Sequence, residues 1–313
     1  MLTQKQFFMY NENMKKILVL LITALVILTL SAQNPCDAKV FVKHRAKIEQ
    51  KKLEKSTLKD IENVIRLEEK YANEQDLSKI KDLYSENYVN SDGFDKNAYI
   101  KMIEETWKTY PNISYSTKIN KIEFNDNYAT VFADEVAVGN KLEEIGEFEV
   151  LGELYSKMKC VYHLEKRNKS WLITSERVIE EKTTLKYGEA RYIDIALDVP
   201  KQVGSGKYYS AILKVEVPDD ATLVGSISRE KIVYPQTKSD DAFRLIEDNI
   251  LERMFLSNSD NVNEYAVASI GVTHAAQTDE NRIRVYMSGM AFIMTRVNVI
   301  PENKFINIED NNG

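Results

Sequence analysis

The apolar residues of this chain change period near residue 113, and that change constrains the fold more than any other feature. Upstream, Leu58, Ile61, Val64, Ile65 and Ala72 recur at three- and four-residue steps, which lays one apolar stripe along a helix. Thr57 with Asp60 resembles a capping box, so this helix is expected to begin near Ser56 or Thr57. Asp76 can cap a short second helix holding Leu77, Ile80 and Leu83. Asp95 can cap a third, with Ile100, Ile103 and Trp107 on one side and Pro111 closing it.

Downstream the period is two. Tyr115, Thr117 and Ile119 alternate with polar residues, and this strand continues to Phe124. Asn125-Asp126-Asn127 is a turn signal, and Tyr128 to Val138 reads as the next strand. Residues 139–152, rich in glycine and glutamate, are expected to form a hairpin loop. Leu154, Met158, Cys160, Tyr162 and Leu164 then alternate with polar neighbours, and Arg167-Asn168-Lys169-Ser170 turns the chain into Trp171–Ile179. Helices followed by an antiparallel meander make an α+β layout, in which the sheet curls around the helices and leaves a pocket.

Residues 183–301 are expected to form a second, strand-rich and sandwich-like domain with one helix. Ile193, Ile195 and Leu197 alternate, and Tyr209–Val217, Thr222–Ile227, Lys231–Tyr234, Ala266–Thr273 and Ile283–Ile300 carry strand patterning, with Gly289 at a bend or bulge. The helix would be capped by Asp240 and would present Phe243, Ile246, Ile250 and Met254 on one side. Residues 302–313 read as a flexible tail.

The N-terminus carries an export pattern. Met14-Lys15-Lys16 precedes an apolar run from Ile17 to Leu30, followed by Ser31-Ala32. A basic start, a short apolar core and a small-residue exit read as a secretory signal over 1–32, cleaved close to Ala32. The rival is an uncleaved N-terminal anchor. The protein is thus expected to be exported, periplasmic or extracellular. Residues 33–55 hold Lys39, Lys43, Arg45, Lys47, Lys51, Lys52 and Lys55 and read as a basic linker or a helix extension. Membrane contact is expected only through an uncleaved signal or this basic stretch.

Composition narrows the chemistry. A 313-residue chain with 43% hydrophobic and 29% charged residues is globular rather than disordered. A net charge of −6 argues against general nucleic-acid binding. Two cysteines exclude a disulfide scaffold and a four-cysteine zinc site. A Cys36–Cys160 bridge is the only pairing available, and none is expected because Cys36 lies in the leading segment. His44 and His274 have no carboxylate or thiol at ligand spacing, and His163 falls on the polar parity of its strand, so no metal is expected. Gly204-Ser205-Gly206-Lys207 lacks the spacing of a phosphate-binding or dinucleotide turn, and no cofactor is expected.

Residues about 56–182 resemble the nuclear transport factor 2-like superfamily, which includes SnoaL-like cyclases and ketosteroid isomerases. The resemblance is carried by Tyr71-Ala72-Asn73-Glu74-Gln75-Asp76-Leu77-Ser78-Lys79-Ile80, by Leu83-Tyr84-Ser85-Glu86-Asn87-Tyr88-Val89 and by Lys169-Ser170-Trp171-Leu172-Ile173. It implies a cone-shaped α+β barrel, helices packed on a curved antiparallel sheet, often dimeric through that sheet. It also places Asp92 where ketosteroid isomerases carry their general base, while the spacing of their first-helix tyrosine lands on Glu68. Ser91-Asp92-Gly93 also reads as a plain turn.

If apolar parity points inward, Tyr88, Phe132, Met158 and Tyr162 face the pocket, and Glu135 and Glu176 lie on the same sheet. The absence of a second recognisable catalytic group favours an exported, non-enzymatic binding or assembly protein, holding a small apolar ligand or a protein partner in the cone. The alternative is an isomerase, cyclase or dehydratase using Asp92 as general base. A second alternative is a structural envelope component that forms a homodimer through the cone.

Overall fold

The computed structural model describes residues 35–145, 148–216, 218, 220–235, 243–246, 249–279 and 282–302. The expected signal segment and the tail beyond residue 302 lie outside them. By compactness the chain divides into residues 1–57 and 58–313, and the packing below is that of 58–313.

Helix α1 runs from Pro35 to Asn73. It begins about twenty residues before the expected start, so Thr57 is a mid-helix residue and not a cap. The basic stretch explains this. It consists of good helix formers with no glycine or proline after Pro35, it carries an Arg45–Glu49 pair one turn apart (3.6 Å), and proline suits a first helical position. The expected stripe is present: Ile61, Val64, Ile65 and Ala72 are buried.

Short helix α2 (Leu77–Leu83) is capped by Asp76, which accepts from the Lys79 N–H at 3.0 Å. Helix α3 (Lys96–Thr109) is capped by Asp95, which accepts from the Ala98 N–H at 2.8 Å. Ile100 and Trp107 are buried on its inner side.

Four antiparallel strands follow: β1 (Ser114–Asn125), β2 (Tyr128–Ile145), β3 (Phe148–Arg167) and β4 (Ser170–Gly188). Strand β1 lies at a sheet edge, and side chains of α1 satisfy its outward backbone groups. Asn73 donates to the Tyr115 carbonyl at 2.9 Å and accepts from its N–H at 2.7 Å. Arg66 donates to the Thr117 carbonyl at 2.6 Å, and Glu69 accepts from the Thr117 N–H at 2.8 Å. An edge covered in this way cannot recruit another strand.

The expected loop at 139–152 is instead strand. Strands β2 and β3 stay in register up to the pair Ile145–Phe148. Gly152 is explained by packing rather than by a turn. A Cβ there would lie 2.3 Å from the Tyr187 ring of β4, so only glycine lets that ring cover the strand.

The remaining strands are β5 (Ile195–Asp198), β6 (Gln202–Gly204), β7 (Tyr208–Val215), β8 (Thr222–Lys231), β9 (Arg244–Leu245), β10 (Ile250–Leu256), β11 (Glu264–Asp279) and β12 (Arg282–Ile300). One sheet has the order β1-β2-β3-β4-β12-β11-β8-β9, with β6 pairing β12 in parallel, and a smaller sheet has the order β10-β7-β5. Among the described residues the expected second-half helix is absent. Ile250 and Met254 lie in β10, paired with β7, while Asp240 lies outside the described residues. A four-residue spacing fits both periods, because i and i+4 share a face of a helix and of a strand. Of the expected stripe only Ile246 is buried, while Phe243, Ile250 and Met254 are exposed, so the four do not form one core-facing stripe.

Two apolar cores result. One gathers Ile61, Ile80, Trp107, Val131, Leu164 and Ile173 between the helices and β1–β4. The other gathers Leu197, Leu213, Leu223, Ile270 and Ile293 between the two sheets. The boundary expected near 183–190 falls within β4, whose Lys182–Gly188 stretch pairs with β3 on one side and β12 on the other.

Candidate functional site

The inside of the cone is acidic. A cavity of 90 Å3 between α1, α3 and the sheet is lined by Glu68, Glu135 and Glu176, with Tyr99, Trp107 and Met158. Each carboxylate comes from a different element. Glu68 sits on the apolar stripe of α1, seven residues after Ile61 and four before Ala72. Glu135 follows Val131 and Ala133 on the inward face of β2. Glu176 is opposite Tyr162 in the β3–β4 register.

Tyrosines surround them. Tyr88 donates to Glu176 Oε2 at 3.3 Å, and Tyr162 donates to Glu135 Oε1. The rings of Tyr84, Tyr88 and Tyr99 pack with centroids 5.0–5.3 Å apart. Because these rings fill the cone, little space remains beside the carboxylates.

Burial and mutual repulsion favour the protonated acids. Burial holds Glu68 well above the usual carboxylate range, and the charges of Glu135 and Glu176 add to the effect. Glu135 is pushed up to about 7, first by burial and then by the Glu176 charge, against the opposing bond from Tyr162. Glu176 is raised by burial, while hydrogen bonds from Tyr99, Cys160 and Tyr88 pull the other way. All three carboxyls are thus shifted toward the protonated form, Glu135 to about 7.

Among the expected site residues, Tyr88, Glu135, Met158, Tyr162 and Glu176 come together in or against this cavity. Phe132 does not. It lies on the opposite face of β2 from Glu135, with Lys121 Nζ 5.9 Å from its ring centroid. Adjacent strand residues point to opposite faces, so Phe132 and Glu135 could not both face the cone. Asp92 is also elsewhere. Its side chain is buried against Arg296 and accepts from Asn263 Nδ2 at 2.7 Å. The turn around it is held by Asn90, whose Oδ1 accepts from the N–H groups of Asp92 and Phe94 at 3.0 and 2.9 Å.

Glu68 was a missing member of the expected set. Its signal was present in the sequence: a carboxylate at a position where the helical stripe calls for an apolar residue. Cys160 is buried and free, and no group of three or more His, Cys, Asp or Glu among the described residues is arranged to hold a metal ion.

No family model and no curated protein matches this chain. Solved structures similar to it include Bd1075 of Bdellovibrio bacteriovorus, with 13% identity and a TM-score of 0.31 over 38% of this chain. This chain spans 39% of that protein's length. A hexachlorocyclohexane dehydrochlorinase, LinA type 2, shares 11% identity over 39% of this chain and 84% of that one, with a TM-score of 0.34. A dehydratase candidate of the nuclear transport factor 2-like family from Streptomyces avermitilis shares 8% identity over 40% of this chain and 95% of that one, also at 0.34.

Proposed function

We propose that the cone cavity is a proton-transfer site acting on the oxygen-bearing end of a small organic molecule, in the manner of an isomerase or dehydratase. One observation carries this reading: Glu135, pushed up to about 7, lines the same cavity as Glu68, which burial also holds above the usual carboxylate range. Two acids whose environments hold them at different protonation states suit an acid–base division of labour. Ionised Glu135 would take a proton from carbon next to a carbonyl. Protonated Glu68 or the Tyr99 hydroxyl would donate to the carbonyl oxygen as negative charge grows there. The 90 Å3 cavity holds about three water volumes at ~30 Å3 each, so it suits a few heavy atoms. Asp92 has no part in this chemistry, because Arg296 and Asn263 occupy its carboxylate.

A binding-only cone is the second reading. It is favoured by the bonds from Tyr88 and Tyr162, which satisfy Glu176 and Glu135 without any ligand. The test is hydrogen–deuterium exchange at carbon in heavy water, followed by proton NMR, with acetone, hydroxyacetone and 3-hydroxybutanone as probes. The proton-transfer reading expects exchange that exceeds the buffer rate and disappears in Glu135→Gln. Exchange equal in wild type and variant, with binding retained in both, would leave the binding reading standing.

A further inference from the structure

A second pocket, of 290 Å3, opens on the sheet where β3, β4 and β12 meet the segment after β5. Its apolar wall is Ile179 and Val199. Met158 also lines the acidic cavity, where it is opposite Glu135 in the β2–β3 register, on the other face of β3 from Lys157.

The polar lining is mostly cationic. Glu180 is neutralised twice, by Lys159 at 3.1 Å and Lys201 at 2.7 Å. Arg296 is neutralised by Asp92, and Glu181 accepts from the Tyr265 hydroxyl at 2.7 Å. Lys157 and Lys182 remain. They sit directly opposite each other in the β3–β4 register and have no ion-pair partner among the described residues. Like charges facing each other across two strands destabilise a sheet. The row continues onto β12, where Thr295 is opposite Lys182. The Thr295 hydroxyl is buried and has no hydrogen-bond partner among the described residues. A buried hydroxyl without a partner is uncommon, because leaving it unpaired carries a desolvation cost.

We infer that this pocket binds a small organic monoanion, a carboxylate with an apolar body. Its head would lie on the Lys157–Lys182–Thr295 row and its body against Ile179 and Val199. The ligand would relieve the repulsion between the lysines and give the Thr295 hydroxyl a partner. The apolar wall separates this class from inorganic anions. The volume corresponds to about ten water volumes at ~30 Å3 each, which matches an aromatic or branched acid of about seven carbons.

Calorimetry on the full chain with benzoate, its neutral isostere benzamide, and inorganic phosphate tests the assignment. Benzoate is expected to bind at least about tenfold more tightly than either of the other two. The Lys157→Ala/Lys182→Ala double variant is expected to weaken benzoate about tenfold and to melt no lower than wild type, since it removes a like-charge pair. Thr295→Val is expected to weaken benzoate by a smaller factor. Charge reversal by Lys182→Glu alone provides the same comparison should the double variant aggregate, and is expected to abolish binding. Benzamide binding as tightly as benzoate, phosphate binding as tightly as benzoate, or variants that retain wild-type affinity would each overturn the assignment.

Discussion

Asp92 and Arg296 form an ion pair across 204 residues of sequence, with side chains only 5% and 1% exposed. The pair ties the turn after α2 to the last strand of the sheet, and Asn263 of the β10–β11 connection completes it. A carboxylate that a sequence reading marks as a general base is here the counter-charge of a buried guanidinium.

Asp92→Asn is therefore expected to destabilise the protein. Removing one partner of a buried pair leaves an uncompensated charge and costs roughly 3–5 kcal/mol, a large share of a stability of roughly 5–15 kcal/mol. Asp92→Leu combined with Arg296→Met should recover much of that loss. Denaturant unfolding measures both. A single Asp92→Asn variant as stable as wild type would show that the pair contributes nothing.

Stability is expected to fall as pH rises. Glu135 has a pKa near 7 in the folded protein and an ordinary value of 4.5 when unfolded, so the native state holds the proton more tightly. Its contribution is fully present below about pH 4.5 and is lost as pH rises through 7. At about 1.4 kcal/mol per pKa unit the loss amounts to at most ~3.5 kcal/mol, and Glu68 and Glu176, shifted the same way, add to it. Thermal melts between pH 5 and pH 8 should show the decline, and Glu135→Gln should flatten it. A melting temperature that rises over that range would contradict the placement of these acids.

The proposed proton transfer has its own pH signature. Exchange at carbon requires ionised Glu135 and protonated Glu68, so its rate should rise through about pH 7. In Glu68→Gln the acid is replaced by a permanent amide donor, so the rise should survive while the rate changes. A pH-independent rate would point to a different base.

The two cores are expected to unfold in one transition. Strand β4 carries Trp171 and Ile173 of the first core and pairs with β12 of the second. Trp171→Ala should cost about 3–5 kcal/mol and Leu213→Ala about 2–5 kcal/mol, each lowering the same melt. Limited proteolysis should spare residues 183–188. Two resolved transitions, or early cutting there, would instead show two separately folding halves.

Export is expected with cleavage close to Ala32. Sequencing the N-terminus of the protein isolated from its own host checks this, and a retained Met14 segment would contradict it.

The sequence alone determined the local elements. The stripe of Ile61, Val64, Ile65 and Ala72, the caps at Asp76 and Asp95 and the alternation through β1–β4 depend on neighbours within one or two turns, so period and capping chemistry reveal them. Part of the acidic cavity was legible for the same reason: Glu135 and Tyr162 share the inward parity of their strands, whereas Glu176 is out of step with Trp171 and Ile173 and reaches the cavity only through the register shift between Ile173 and Ser175. Pairing across sequence distance was decided only in the tertiary structure. Nothing near Asp92 announces Arg296, nothing near Lys157 announces Lys182 and Thr295, and the glycine of Gly152 has meaning only once the Tyr187 ring lies over it. The helix expected over Phe243–Met254 failed because a spacing of four suits both periods, and β7 supplied the edge that made it a strand. Burial decided the chemistry. Glu68 is one of many glutamates in the chain, and only its enclosure beside Glu135 and Glu176 shifts it toward the protonated form.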